Sequence, residues 1–501
     1  MGALESLLLC GERGREPVAV HSVVGVHGRE ACQVTCPVVA QVATQPVAAA
    51  QRLAGWATRL RAGDVPDEVR EAAVLHLLDT AGCALAALGT GEGMEAAAVM
   101  AGQGGAPEAT AVGSRQRIPS SSAALVNGMA AHALDFDDTH EQAICHVGTV
   151  VGPAALAAAE KVGASGSDLV TAFVAGSEVV CRLGMAAPRA FHARGFHPTS
   201  VCGVFGAATA AARLLGLGEQ QATAALGLAG SLASGIFEYL ADGSPTKPLH
   251  AGWAAHGGVL AAELARAGAR GPATVVEGRF GLYATHAEGG VPAELEQQLA
   301  DLGERWETPA IAFKPYPACH FLHTAVDAAV EAASARPGLG PGDIAEIAVR
   351  VPSAGVPLVL EPAADKPSPR TPYDAKFSLP YSVAFRLVHG RLDVTSYTAE
   401  AIRDEAVQTL AARTTYTPWP DAEAPSPFAG AAELVLRDGT RLAATVEHPR
   451  GSRANPMTPA EVREKFTANA GLALPAGEAE ALAARLLALD GAPDVRSLRA
   501  G

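Results

Sequence analysis

From about residue 46 to 305 the chain runs through helix-length segments rich in alanine, glycine and leucine, at 67–85, 121–134, 147–161, 167–186, 199–215, 219–236 and 250–267. Small side chains let helix axes approach closely, and a chain with only 5% aromatic residues must build its core from tightly packed aliphatic groups. Such a stretch specifies a helical domain. In the first segment Val69, Ala73 and Leu77 recur every fourth residue, behind a Pro66-Asp67 pair suited to a first helical turn. Apolar residues at 49% against 18% charged ones mark a chain that folds, and a length of 501 allows about two to four domains.

The pattern changes after about 310. Ile347, Val349 and Val351 alternate with Glu346, Ala348 and Arg350, the period of a half-buried strand. Leu434 and Leu436 alternate with Glu433, Val435 and Arg437, and Asp438-Gly439 then turns the chain into a hairpin partner at Leu442 to Val446. Residues 374–387 read as a helix start with an aromatic cluster. Thr458-Pro459-Ala460-Glu461 is a capping box that opens a further helix, with another at 477–489. The order predicts a mainly α fold with an inserted α+β domain. We divide it into an aperiodic N-terminal extension open to disorder (1–45), a helical domain (46–310), a smaller α+β domain (311–450) and a return to the helical domain (451–501). The crevice between the two domains is the expected place for a small-molecule site.

Lys and Arg total 38 against 52 Asp and Glu, a net charge of −14, with no basic run longer than a pair; nucleic acid is not an expected partner. The eight cysteines are scattered without a CxxC pair, so neither a disulfide framework nor a metal site is expected. The apolar run after His146 meets Glu160, and that after Val201 meets Arg213 and Glu219, so no membrane-spanning helix is expected and the reading is cytoplasmic.

Five segments carry chemistry-bearing groups. Leu134 to His140 packs Asp135, Asp137 and Asp138 beside Thr139 and His140, with His146 following. Taken alone it reads as a solvated loop, since buried carboxylates this close would raise one another's pKa. Gly195 to Ser200 carries His197 at a predicted helix start, where Thr199 or Ser200 is expected to cap. Lys247 precedes a Gly/Ala-rich helix, whose N-terminus favours a carboxylate. Phe313 to His320 has two prolines, as a linker would, and Phe377 to Ser382 reads as core aromatics.

Together and in this order, HALDFDDTH, GFHPTS, TKPLHAGWAAHGG, FKPYPACH and FSLPYS resemble the MmgE/PrpD family of 2-methylcitrate dehydratase, cis-aconitate decarboxylase and iminodisuccinate epimerase, over about 46–501. The resemblance implies a large all-helical domain built from both ends of that region, a smaller α+β lid, a cleft between them, a homodimer, and neither metal nor obligatory cofactor. Carried over motif by motif, it marks Asp135, His146, His197, Lys247 and Tyr381 as catalytic and Thr139, Lys314 and His320 as substrate-binding. The implied substrate is a small polycarboxylate, which a −14 protein repels unless cations such as Lys247 and Lys314 converge locally. His146 and His197 are suited to proton transfer next to a carboxylate, Asp135 to fixing a histidine or a lysine, and Thr139 and Tyr381 to donating hydrogen bonds. In cis-aconitate decarboxylases a histidine closes the lid motif, whereas Ala318-Cys319-His320 has a different spacing. On that ground the expected reaction is dehydration of a 2-methylcitrate-like acid, with decarboxylation or epimerisation as alternatives and a non-catalytic relative as a further one.

Overall fold

In the computed structural model, residues 47–114 and 116–498 are described; the expected extension over 1–45 lies outside them. The apolar segments of the first half form the helices Asp67–Thr90, Ser120–His132, Gly148–Val162, Gly166–Ala186, Pro198–Leu214, Glu219–Ala229 and Lys247–Arg266. The predicted 219–236 helix ends early, because Gly230 to Leu232 tightens into a 3-10 turn and the chain then leaves the helical course.

Glycine explains how closely these helices pack. A Cβ built on Gly128 would lie 2.9 Å from the Cα of Gly252, and one on Gly176 would lie 2.6 Å from the carbonyl oxygen of Gly206. The Lys247–Arg266 helix therefore sits backbone to backbone on Ser120–His132, and Gly166–Ala186 on Pro198–Leu214. Two of the helices, Asp67–Thr90 and Gly166–Ala186, are long and apolar enough by composition to cross a membrane, contrary to the expectation from charge-free windows. Their most apolar windows are 72% and 100% buried inside the fold, as befits core helices.

The second half carries a four-stranded sheet in the order Thr414–Tyr416, Ile344–Arg350, Gly430–Leu436, Arg441–Val446. The first pair is parallel and the other two antiparallel, with Ile347 opposite Leu434 and Leu434 opposite Leu442. The predicted hairpin is present, whereas the three-residue strand at 414–416 was not foreseen. One sheet face packs on the His323–Ser334 helix, around a second hydrophobic core that includes Phe321, Ile347 and Leu434. The predicted 374–387 helix is two helices, Pro372–Ala375 and Leu379–His389, separated where Ser378 caps the second by accepting from the Tyr381 amide at 3.1 Å.

Thr458 and Glu461 form the predicted capping box at the start of Pro459–Ala470, and this helix and Ala476–Leu487 return to pack on Asp67–Thr90. A second return sets up the site. Thr139–His140 pairs antiparallel with Ile311–Ala312, which brings the loop after Ser120–His132 beside the segment carrying Lys314.

Candidate active site

The Ser120–His132 helix ends just before Asp135, whose φ of 53° is left-handed, a conformation that aspartate tolerates better than most residues. That turn sends the carboxylate inward. Lys247, the first residue of the Lys247–Arg266 helix, donates to Asp135 Oδ1 at 2.8 Å, and Lys314 donates to the same oxygen and to the Asp135 carbonyl, both at 2.8 Å. The three side chains are buried. Burial penalises the Asp135 charge, yet the ammoniums of Lys247 and Lys314 hold its carboxyl well below the usual carboxylate range.

His146 lies against the other side of this group, its Nε2 4.0 Å from Asp135 Oδ1. Its Nδ1 is 2.8 Å from the carbonyl oxygen of Asp138, which can only accept, so the ring proton belongs on Nδ1 and Nε2 is bare. Thr139 Oγ1 stands 3.2 Å from the same Nδ1, and the His146 amide donates to Thr199 Oγ1 at 3.0 Å. Thr199 is thus inside its helix and holds the site; it does not cap. The helix N-cap is His197, with no side-chain cap. His197 Nδ1 is 3.2 Å from His250 Nδ1, one ring donating to the other. Burial, then the Lys247 charge, holds both His146 and His197 well below the ordinary imidazole range. That favours the neutral form of both rings at pH 7.

These groups line one cavity of about 580 Å³. Of the eight residues marked in the sequence, Asp135, Thr139, His146, His197, Lys247, Lys314 and His320 line it. Tyr381 does not. Its hydroxyl donates to the Ser396 carbonyl at 2.6 Å, and its ring is buried beside Phe385 and Tyr397 in the second core. The Ser378 cap turns Tyr381 into the core, as the plain reading of core aromatics would have it. Despite its altered spacing, His320 opens the short turn His320–Leu322 and faces the cavity, with Nε2 3.3 Å from Glu141 Oε1.

Among the described residues, three non-glycines have positive φ, namely Asp135, Ile144 and Arg189, and all three line this cavity. Strained backbone concentrated at one place is a mark of a functional site.

Sequence reasoning missed several participants. His132 donates from Nδ1 to Asp137 at 2.8 Å, and its ring centroid lies 4.7 Å from that of His146. It ends an Ala-rich helix and carried no signal apart from its place at the head of HALDFDDTH. Tyr239 and Cys319 also line the cavity, and burial raises the pKa of each, so both face it protonated. The nitrogens of His132, His146 and His197 lie within 4.8 Å of one another and could hold a metal ion, as could His132 and His146 with Asp135 and Asp137. The Lys247 and Lys314 ammoniums already occupy Asp135 Oδ1 and would repel a cation there. Among the described residues the five cysteines, at 83, 145, 181, 202 and 319, are free and buried.

Comparison with known proteins fits this geometry. Residues 51–294 match the MmgE/PrpD N-terminal domain and residues 316–490 the MmgE/PrpD C-terminal domain. The chain is 28% identical to the cis-aconitate decarboxylase-like protein oryM of Aspergillus oryzae, over 89% of this chain and 96% of that protein. It is 33% identical to the cis-aconitate decarboxylase of Homo sapiens, over 71% of this chain and 73% of the human protein. A 2-methylcitrate dehydratase-like protein, oryR of Aspergillus oryzae, is 31% identical over 52% of this chain and 54% of its own length. The chain belongs to the MmgE/PrpD family.

Proposed function

We propose that this protein is a lyase of the decarboxylase type, acting on an unsaturated polycarboxylate of the cis-aconitate kind. The observation that carries the reading is the meeting of Asp135, His146, His197, Lys247 and Lys314 in one cavity. The preference for dehydration drawn from the sequence gives way for two reasons. It rested on the displaced lid-motif histidine, yet His320 lines the cavity all the same. The decarboxylases also match over 71% and 89% of the chain, against 52% for the dehydratase-like relative.

In such a reaction the electron pair of the allylic C–CO₂ bond forms a new C=C as CO₂ leaves, and the original alkene pair shifts to the far carbon, which takes a proton. Lys247, with N–H groups beyond the one given to Asp135, grips a carboxylate that stays. His197, paired through Nδ1 with His250, is the group placed to supply the proton to carbon; a positioned acid of this kind contributes roughly 10²–10⁴-fold in rate. The bare Nε2 of His146 is the feature that favours the second reading, dehydration, because it suits removal of a proton from carbon. The same proposal includes a homodimer and a lid in residues 311–450.

Purified protein incubated with cis-aconitate, 2-methylcitrate, citrate and iminodisuccinate tests it. CO₂ release from the unsaturated acid is expected. Alkene formation from the hydroxy acids without CO₂ would place the enzyme with the dehydratases, and no turnover of any of the four would overturn the proposal.

A further inference from the structure

Among the described residues, three with a permanent positive charge line the cavity: Lys247, Lys314 and Arg189. The first two share Asp135, so that group offers a net +1 to a substrate that brings two or three negative charges. Arg189 is the remaining cation, and it stands at the mouth, with its side chain 42% exposed. It lies between the Gly166–Ala186 helix and the short helical turn Ala190–Ala193, with a φ of 64°. From there the wall leads inward. The Arg189 charge reaches the His192 ring, that ring stacks on Phe237 with centroids 5.3 Å apart, and Phe237 lies 5.5 Å from His197. Burial, then the Arg189 charge, lowers His192 to about 4, so this imidazole is neutral at pH 7 and leaves the guanidinium as the charge carrier beside it.

Arg189 Nη1 donates to Asp421 Oδ2 at 2.9 Å. Asp421 comes from the second half of the chain, in the stretch that joins the strands Thr414–Tyr416 and Gly430–Leu436. The pair is exchangeable. Its side chains are 42% and 44% exposed, and ion pairs so open to water are held weakly. The contact engages one guanidinium nitrogen, whereas the planar fork can grip a carboxylate with two. Asp421 also has other support: its Oδ1 accepts from the amide of Ala354 at 3.2 Å, and Ala354 itself lines the cavity. Burial opposes the Asp421 charge, yet the hydrogen bonds from Arg189 and Ala354 hold its carboxyl below the usual range, so it is ionised at pH 7 and competes for Arg189.

We propose that Arg189 is a substrate-binding residue: its guanidinium passes from Asp421 to the substrate carboxylate nearest the cavity mouth while Lys247 holds another, and Asp421 is the competitor that sets the affinity for acids with more than one carboxylate. This rests on the proposed polycarboxylate reading for the substrate class, and on the Arg189 and Asp421 geometry for the residue.

Calorimetric titration of tricarballylate, a saturated tricarboxylate with neither alkene nor hydroxyl, into the parent, Arg189→Asn and Asp421→Asn tests it apart from turnover. Asparagine tolerates the left-handed backbone at 189 and removes the charge, so the turn is kept. Affinity is expected to fall about tenfold or more in Arg189→Asn, as loss of a charge-assisted hydrogen bond implies. In Asp421→Asn it is expected to rise about two- to fivefold, as removal of a competing exposed partner implies. In the Arg189→Asn background Asp421→Asn is expected to change it by less than about twofold. A merely structural role for the pair would weaken binding in both single variants. An Arg189→Asn affinity within about twofold of the parent's, an Asp421→Asn affinity no higher than the parent's, or no binding of tricarballylate to the parent overturns the inference, even where CO₂ release from cis-aconitate upholds the lyase reading. The opposed shifts without turnover of any acid sustain Arg189 as a carboxylate site while the lyase reading fails.

Discussion

Replacing Asp135 with asparagine removes one buried negative charge from between two buried ammoniums and little else. Lys247 is 6% exposed, Lys314 0% and Asp135 1%, and both nitrogens lie 2.8 Å from the same oxygen. Asparagine keeps an acceptor at that position and, like aspartate, tolerates the φ of 53°, so neither the backbone turn nor the shape of the site is disturbed. What remains is electrostatic: breaking a buried ion pair by removing one partner costs about 3–5 kcal/mol, because the surviving charge is left without compensation. Urea unfolding followed by intrinsic fluorescence should therefore show a lowered midpoint at unchanged slope, equivalent to a loss of about 3 kcal/mol or more. The pair can be isolated with Lys247→Met. That change should destabilise the parent but cost far less, or be favourable, in the Asp135→Asn background, with a coupling of about 1 kcal/mol or more. A stability within about 0.5 kcal/mol of the parent for Asp135→Asn, or purely additive effects in the double variant, would refute the ion cluster as the organising element of the site.

Other consequences are separately measurable. His146→Gln keeps a polar group of similar reach but no titratable nitrogen, and should lower kcat about 10²–10⁴-fold in steady-state assays while circular dichroism stays unchanged; full activity would remove His146 from the chemistry. His250, buried and held down from 6.5 to about 4 by desolvation and then by His132, binds a proton in the unfolded chain before it does in the folded one. Its contribution is therefore complete above pH 6.5 and is lost as pH falls from there to about 4, a change of about 3 kcal/mol that His250→Phe should flatten in urea titrations run across that window. Gly258→Ala would place a Cβ 2.4 Å from Ala207 Cβ and 2.5 Å from the Ala208 amide nitrogen, so a loss of about 1–3 kcal/mol is expected. Gly342→Ala, with nothing within 4 Å of the new methyl, should be close to neutral, and equal effects of the two would contradict backbone-level helix packing.

Local chemistry was legible in the sequence wherever it acts over a few residues. The Thr458–Glu461 box and the Asp438-Gly439 turn carry their own hydrogen-bonding logic, and the Ala-rich segments announce their helices. The strand at Thr414–Tyr416 was missed because three residues give no period, and its parallel partner lies far away in the chain. The site is non-local: Asp135 meets Lys247 across 112 residues and Lys314 across 179, distances over which periodicity says nothing. Only the resemblance of the assembled motifs placed these residues together. That resemblance also includes Tyr381, which the structure sets outside the cavity with its hydroxyl on the Ser396 carbonyl. It was silent on His132 and His250, which act by contact with His146 and His197. Neutral histidines were equally out of reach, since the burial and the lysine charges that lower them exist only after folding.

A crystal structure with methylsuccinate, a saturated dicarboxylate that can neither dehydrate nor decarboxylate through an alkene, tests the central claim most directly. The account predicts a carboxylate oxygen within about 2.7–3.2 Å of Lys247 Nζ and the ligand's carbon chain within about 3.5 Å of His146 Nε2 or His197 Nε2. A ligand bound elsewhere, or seated in this cavity with Lys247 and both histidines untouched, would contradict it.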